Sequence, residues 1–148
     1  LMQQFKAGAG WFYFVAALSI INTVLMTFDV GWAFFFGLGI TQVFDGLAAA
    51  IAAEIGEGPG VWIVRGVALA FNLGISGFFV LFGWLSQRGY GIAYIIGMVL
   101  FLLDGLIFLL ASDWGGLVFH AIALFLMFRG YGALRKIRAL QAQQAVMQ

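Results

Sequence analysis

Long apolar runs alternate along the chain with four short clusters of charged, glycine-rich or turn-forming residues. An α-helix needs roughly 20 residues to cross a hydrocarbon core. By that measure the runs predict helices at 11–28, 32–53, 61–85, 92–111 and 117–134. The breaks fall at Asp29-Val30-Gly31, Glu54 to Gly60, Ser86 to Gly91 and Ser112 to Gly116, with Pro59 placed where a helix stops or starts. Apolar positions are continuous and do not alternate with polar ones, which argues against a strand barrel. The expected fold is all-α: a polytopic integral membrane helical bundle of about five transmembrane helices, forming a single domain over 1–148 with a basic juxtamembrane tail at 135–148. The first run has only Lys6 ahead of it and no small-residue cleavage pattern behind it, so it is read as a spanning helix and not a signal peptide.

Two hairpins in this pattern align with each other. Asp45-Gly46-Leu47 matches Asp104-Gly105-Leu106 at an offset of 104 − 45 = 59, and Glu54 and Gly56 match Asp113 and Gly115 at the same offset. After the turn the offset shortens to 120 − 65 = 55, which matches Arg65 with His120. The expectation is one helix followed by two related hairpins, an internal repeat of the kind that places sites at repeat interfaces in transporters.

Composition agrees with a bilayer as solvent. The chain is 64% hydrophobic and 9% charged, with a mean hydropathy of +1.08, whereas a soluble domain carries about 25% charged residues. The net charge of +1 gives no basis for a nucleic-acid partner. The absence of cysteine excludes disulfides, thiolate metal sites and thiol redox chemistry. No cofactor and no metal centre is expected. Arg129, Arg135, Lys136 and Arg138 gather near the C-terminus, so that end is expected to be cytoplasmic. Counting back through five spans puts the N-terminus outside with Glu54, Glu57 and Asp113, leaving Lys6 on the wrong side. Trp11, Trp32, Trp62, Trp84 and Trp114 lie near the expected span ends, as interfacial anchors do. The expected location is a plasma membrane, bacterial or other.

Chemistry is then sought in the polar side chains inside the runs. A charge in lipid costs about 2.5–3.5 kcal/mol on insertion scales, so ionisable groups there face the bundle interior. Asp45, Arg65, Asp104 and His120 are the four, joined by Asn22, Gln42 and Asn72, which are expected to find partners across helices. Asp45 is nine residues before Glu54, about 13 Å from that boundary, and Arg65 is about 7 Å deep. An Asp45–Arg65 pair is therefore expected, while the shorter imidazole of His120 is expected to need a water or a neighbouring helix to reach Asp104. Arg65, Asn72 and Ser76 share one helix face, and Gly66, Ala70 and Gly74 form a small-residue stripe for close helix packing.

Three functions fit these residues. The first is a small transporter or channel-like protein that moves protons, cations or a small solute through a polar intramembrane site. In it Asp45 and Asp104 bind the cargo, Arg65 supplies counter-charge and His120 acts as a pH-sensitive gate. The alternative is a non-catalytic accessory or scaffold subunit of a larger membrane complex, its charges locking the helix register. An enzyme ranks third, because there is one histidine, no His-Glu-x-x-His cluster and no nucleophile elbow. Expected partners are the lipid bilayer and either further copies of the chain or other membrane subunits.

Overall fold

The computed structural model describes residues 1–28, 30 and 37–147. Within them the chain forms α1 (Met2–Thr27), α2 (Gly39–Ile55), α3 (Pro59–Gln87), α4 (Gly91–Leu110) and α5 (Trp114–Val146). Three of the four expected breaks separate helices here, and at two of them the local chemistry shows what sets the boundary. Pro59 takes a first-turn position of α3, where a missing N–H is tolerated. Gly56 at φ 78° and Gly58 at φ 143° make the preceding turn. Asp113 caps α5 by accepting from the Gly116 amide at 3.1 Å. The break at Asp29–Gly31 falls largely outside the described residues, as does Trp32.

α1, α3, α4 and α5 are each long and apolar enough to cross a membrane. α2, at 17 residues, is shorter than these, so the described residues give four helices of spanning length beside the five spans expected. The outer helices also run further than the expected spans: α1 begins at Met2, ahead of Trp11, and α5 continues through the basic tail to Val146. Backbone hydrogen bonding carries both through residues that hydropathy alone leaves out.

Contacts fix the direction of each helix. α1 and α3 are antiparallel, with Phe12 beside Gly83, Thr23 bonded to Asn72 and Thr27 bonded to Arg65. α4 and α5 are antiparallel as well, since Phe108 meets Gly116, Asp104 meets His120, and Gly89 just before α4 meets Arg138. α2, however, runs in the same direction as α1. Ser19 accepts from Leu38 at the start of α2, and Thr23 donates to Asp45 further along it. The start of α2 thus lies level with a residue eight positions before the end of α1, about 12 Å short of it.

This parallel step corrects the expected placement of the N-terminus opposite the C-terminus. The first half of α1 packs on the last half of α5, with the backbones touching where Gly8 meets Gly130. A Cβ on Gly8 would sit 2.6 Å from the Gly130 Cα, so only glycine allows that approach. Every lysine and arginine except Arg65 consequently lies toward one end of the bundle, Lys6 included. Glu54, Glu57 and Asp113 mark the other end. Counting spans failed because it assumed that each apolar run reverses the chain.

The core at mid-height is aromatic. Phe12 lies 5.6 Å from Tyr94 and 6.5 Å from Phe79, and Phe79 lies 6.1 Å from Phe101. All four are buried. The stripe of Gly66, Ala70 and Gly74 faces outward, and a Cβ added at Gly66 or Gly74 would meet no other helix within 4 Å. Its expected packing role is not met inside the chain, where Gly8, Gly97, Gly116 and Gly130 make the close contacts.

Candidate functional site: two buried aspartates

Asp104 sits near the end of α4 with both oxygens occupied. Oδ2 accepts from the Gly39 amide at 2.7 Å and Oδ1 from the Ile40 amide at 2.9 Å. These are the first amides of α2, which have no partner within their own helix. Leu38 supplies no side-chain cap. Asp104 therefore caps α2 from another helix, placing a carboxylate where the helix dipole is positive. Ser19 adds a third contact by accepting from the Leu38 amide at 2.7 Å.

His120 meets the same carboxylate directly, with Nε2 2.9 Å from Asp104 Oδ2. The intervening water or neighbouring helix expected from side-chain length is not needed, because α4 and α5 come close where Gly105 packs under the imidazole. The other ring nitrogen, Nδ1, lies 3.0 Å from the Gly116 carbonyl. Carbonyls only accept, so Nδ1 carries a hydrogen. A second hydrogen must then lie between Nε2 and Oδ2, whichever atom holds it. Phe101 stacks on the ring at 4.2 Å and 18°, and Phe108 closes another side at 4.7 Å.

Asp45, on α2, has different company. Thr23 donates to its Oδ2 at 2.8 Å and Asn72 donates to its Oδ1 at 2.8 Å. The same Asn72 nitrogen lies 3.0 Å from Thr23 Oγ1 and 3.1 Å from the Thr41 carbonyl. The expected Asp45–Arg65 ion pair does not form. Arg65 donates instead to the Thr27 carbonyl at 3.0 Å, at the end of α1. Asp45 and Arg65 nevertheless share a cavity of about 510 Å³, whose walls include Thr27, Ala48, Ala52 and Glu57. It lies among the end of α1, the latter part of α2 and the start of α3, on the acidic end of the bundle.

The surroundings of the two aspartates diverge accordingly. Asp45 borders a cavity with Glu57 and Arg65 in its wall, while Asp104 borders an apolar crevice between α3 and α4 formed by Ile75, Phe78, Phe82, Leu100 and Leu103. Among the other residues singled out, Asn72 and Asn22 are buried. The buried Gln42 Nε2 has no hydrogen-bond partner among the described residues, against the expectation of one across helices. Thr23 and Thr41 join the site without having been expected there. Thr23 shares one face of α1 with Ser19 and Asn22 by helical spacing, whereas Thr41 contributes a backbone carbonyl that no side-chain pattern reveals. Among the described residues no three His, Cys, Asp or Glu side chains gather.

Compared with known protein families, curated proteins and solved structures, the chain matches none. Its function is argued from the site alone.

Removing the Asp104 side chain strips the cap from α2 and the partner from His120. Asp104→Ala is expected to lower stability by about 3–5 kcal/mol, the cost of breaking a buried pair by removing one member. Asp104→Asn should recover part of this, because its amide oxygen still accepts one backbone N–H. Unfolding in mild detergent measures both; equal stability of Asp104→Ala and the parent chain contradicts the assignment.

Proposed function

We propose that this chain is a small integral membrane transporter whose cargo, a proton, a cation or a small solute, binds at Asp45. The observation that carries this reading is the cavity of about 510 Å³ that reaches Asp45 from the acidic end. Intramembrane carboxylates that touch a cavity are the usual markers of ion and substrate routes. Ala48 and Ala52 keep the cavity wall thin, and Arg65, tied to Thr27, supplies positive charge within the same space. In this reading Asp104 and His120 hold α2 in place and do not carry cargo.

The basic end is cytoplasmic by the positive-inside rule, with both termini on that side and the cavity opening outward. Trp62 and Trp114 mark the outer interface; Trp84, with Arg88 3.8 Å above its ring, marks the inner one. The outward stripe of Gly66, Ala70 and Gly74 is the face assigned to another membrane helix, from a second copy or a different subunit. We place the protein in a plasma membrane. The two hairpins expected to form an internal repeat run alike, but Asp45 and Asp104 hold different partners.

A second reading, that of an accessory subunit, is favoured by one observation. Below Asn72 the interior is filled by Phe12, Phe79 and Phe101, which interrupt any continuous polar route to the basic end. A transporter must part this aromatic layer during its cycle.

Reconstitution separates the two readings. Proteoliposomes are expected to show a proton or cation flux that falls at least tenfold in Asp45→Asn. Absence of flux in the parent chain, or full flux in the variant, contradicts the transport reading. Orientation has its own check, because the chain has no cysteine to remove first. Gln3→Cys and Gln141→Cys should react with an impermeant thiol reagent from the cytoplasmic face only, and Glu57→Cys from the outer face only. Labelling of the first two from opposite faces contradicts the arrangement.

A further inference from the structure

The Asn72 side chain is where the structure leaves its polar groups least settled. Its Nδ2 has two hydrogens and faces three acceptors: Asp45 Oδ1 at 2.8 Å, Thr23 Oγ1 at 3.0 Å and the Thr41 carbonyl at 3.1 Å. Its two hydrogens are shared among three acceptors. At the other end of the same amide, Oδ1 is buried without a hydrogen-bond partner. One turn further along α3, the Ser76 hydroxyl is buried and unpartnered as well. Residues four apart on a helix lie about 5–6 Å apart at Cβ, so these two unsatisfied groups are neighbours. Buried polar groups are normally paired, and two adjacent exceptions in an apolar bundle call for a specific explanation.

Three oxygens from two helices, α1 and α2, converge on one nitrogen of α3: a carboxylate, a hydroxyl and a backbone carbonyl. That donor set is hard, anionic by one unit and almost wholly removed from water, with Asp45 6% exposed and Thr23 0%. Hard cations take oxygen ligands of this kind. Among the described residues this donor set holds one carboxylate, which matches a single positive charge and disfavours a divalent ion, which would leave net charge buried. The Asn72 amide nitrogen, with its partial positive charge, occupies the point a cation would take.

We propose that Asp45, Thr23, Thr41 and Asn72 form a binding site for a dehydrated monovalent cation of sodium size, reached from the acidic end through the cavity. This rests on the transport reading above and names its cargo. On occupancy the Asn72 amide turns over. Oδ1 then faces the ion as a fourth oxygen ligand, and Nδ2 turns toward the side where Ser76 lies. Hard-cation cages such as those of calcium close to about 2.3–2.6 Å, and sodium has nearly the same radius. The oxygens now around Nδ2, at 2.8–3.1 Å, need move inward by about 0.2–0.8 Å.

Equilibrium binding tests the site without requiring transport. The full chain, purified in mild detergent, is titrated with sodium chloride against choline chloride at constant ionic strength, with heat release and unfolding temperature as readouts. Saturable sodium binding is expected, together with a rise in unfolding temperature that choline does not produce. Thr23→Val should weaken sodium binding at least tenfold, and Thr23→Ser should restore it, which separates loss of the ligand from loss of packing. Asp45→Asn should abolish binding. Identical behaviour in sodium and choline, or unchanged sodium affinity in a folded Thr23→Val, overturns the proposal. A flux without saturable sodium binding removes this site while leaving transport standing; binding without flux upholds the site and counts against transport.

Discussion

A helix that begins inside an apolar bundle must find partners for its first amides, and in this chain Asp104 provides them. Its carboxylate takes the Gly39 and Ile40 amides, and Ser19 takes that of Leu38. An unpartnered amide in such surroundings costs several kcal/mol. The start of α2 is therefore pinned to one height on α1 and α4. From that height the rest follows by helical rise: Asp45 comes level with Thr23 and Asn72, and the latter part of α2 diverges to leave the cavity beside Arg65. The chain folds α2 parallel to α1 because the cap lies part-way down the bundle.

The two aspartates show how environment assigns role. Asp104 is saturated by two backbone amides and an imidazole, inside a collar of Phe101 and Phe108. Asp45 is held by a hydroxyl and an amide that can both reorient, and it borders a cavity with charged groups in its wall. Rigid and adaptable carboxylates in one small bundle divide the work. One fixes the scaffold; the other is free to exchange partners.

Much of this was legible in the sequence, and the exceptions have physical causes. Helical class, three of the turns and the interior position of Asp104 and His120 follow from hydropathy, glycine and proline placement, and the cost of buried charge; their direct contact does not, because it depends on how closely α4 and α5 approach at Gly105. Direction did not follow. The run from 32 to 53 is apolar enough to read as a crossing, and only the tertiary cap at Gly39 shows that the helix starts part-way. Lys6 was the clue, since its misplacement in the expected topology disappears once both termini share an end. Pairing of Asp45 with Arg65 was expected from side-chain reach, but Asn72 is closer and Arg65 meets Thr27 first. Small residues at every fourth position of α3 looked like a packing seam, yet the seam within the chain is Gly8 on Gly130, between helices far apart in sequence.

The most direct measurement compares matched cysteine probes one turn beyond each polar centre. Ala48, three residues after Asp45, lines the cavity, whereas Ala123, three after His120, is fully buried in the core. With an impermeant thiol reagent added at the acidic end, Ala48→Cys is expected to be modified readily and Ala123→Cys to stay silent. Equal modification of both, or of neither, contradicts the division between a site open to the cavity at Asp45 and a closed brace at Asp104.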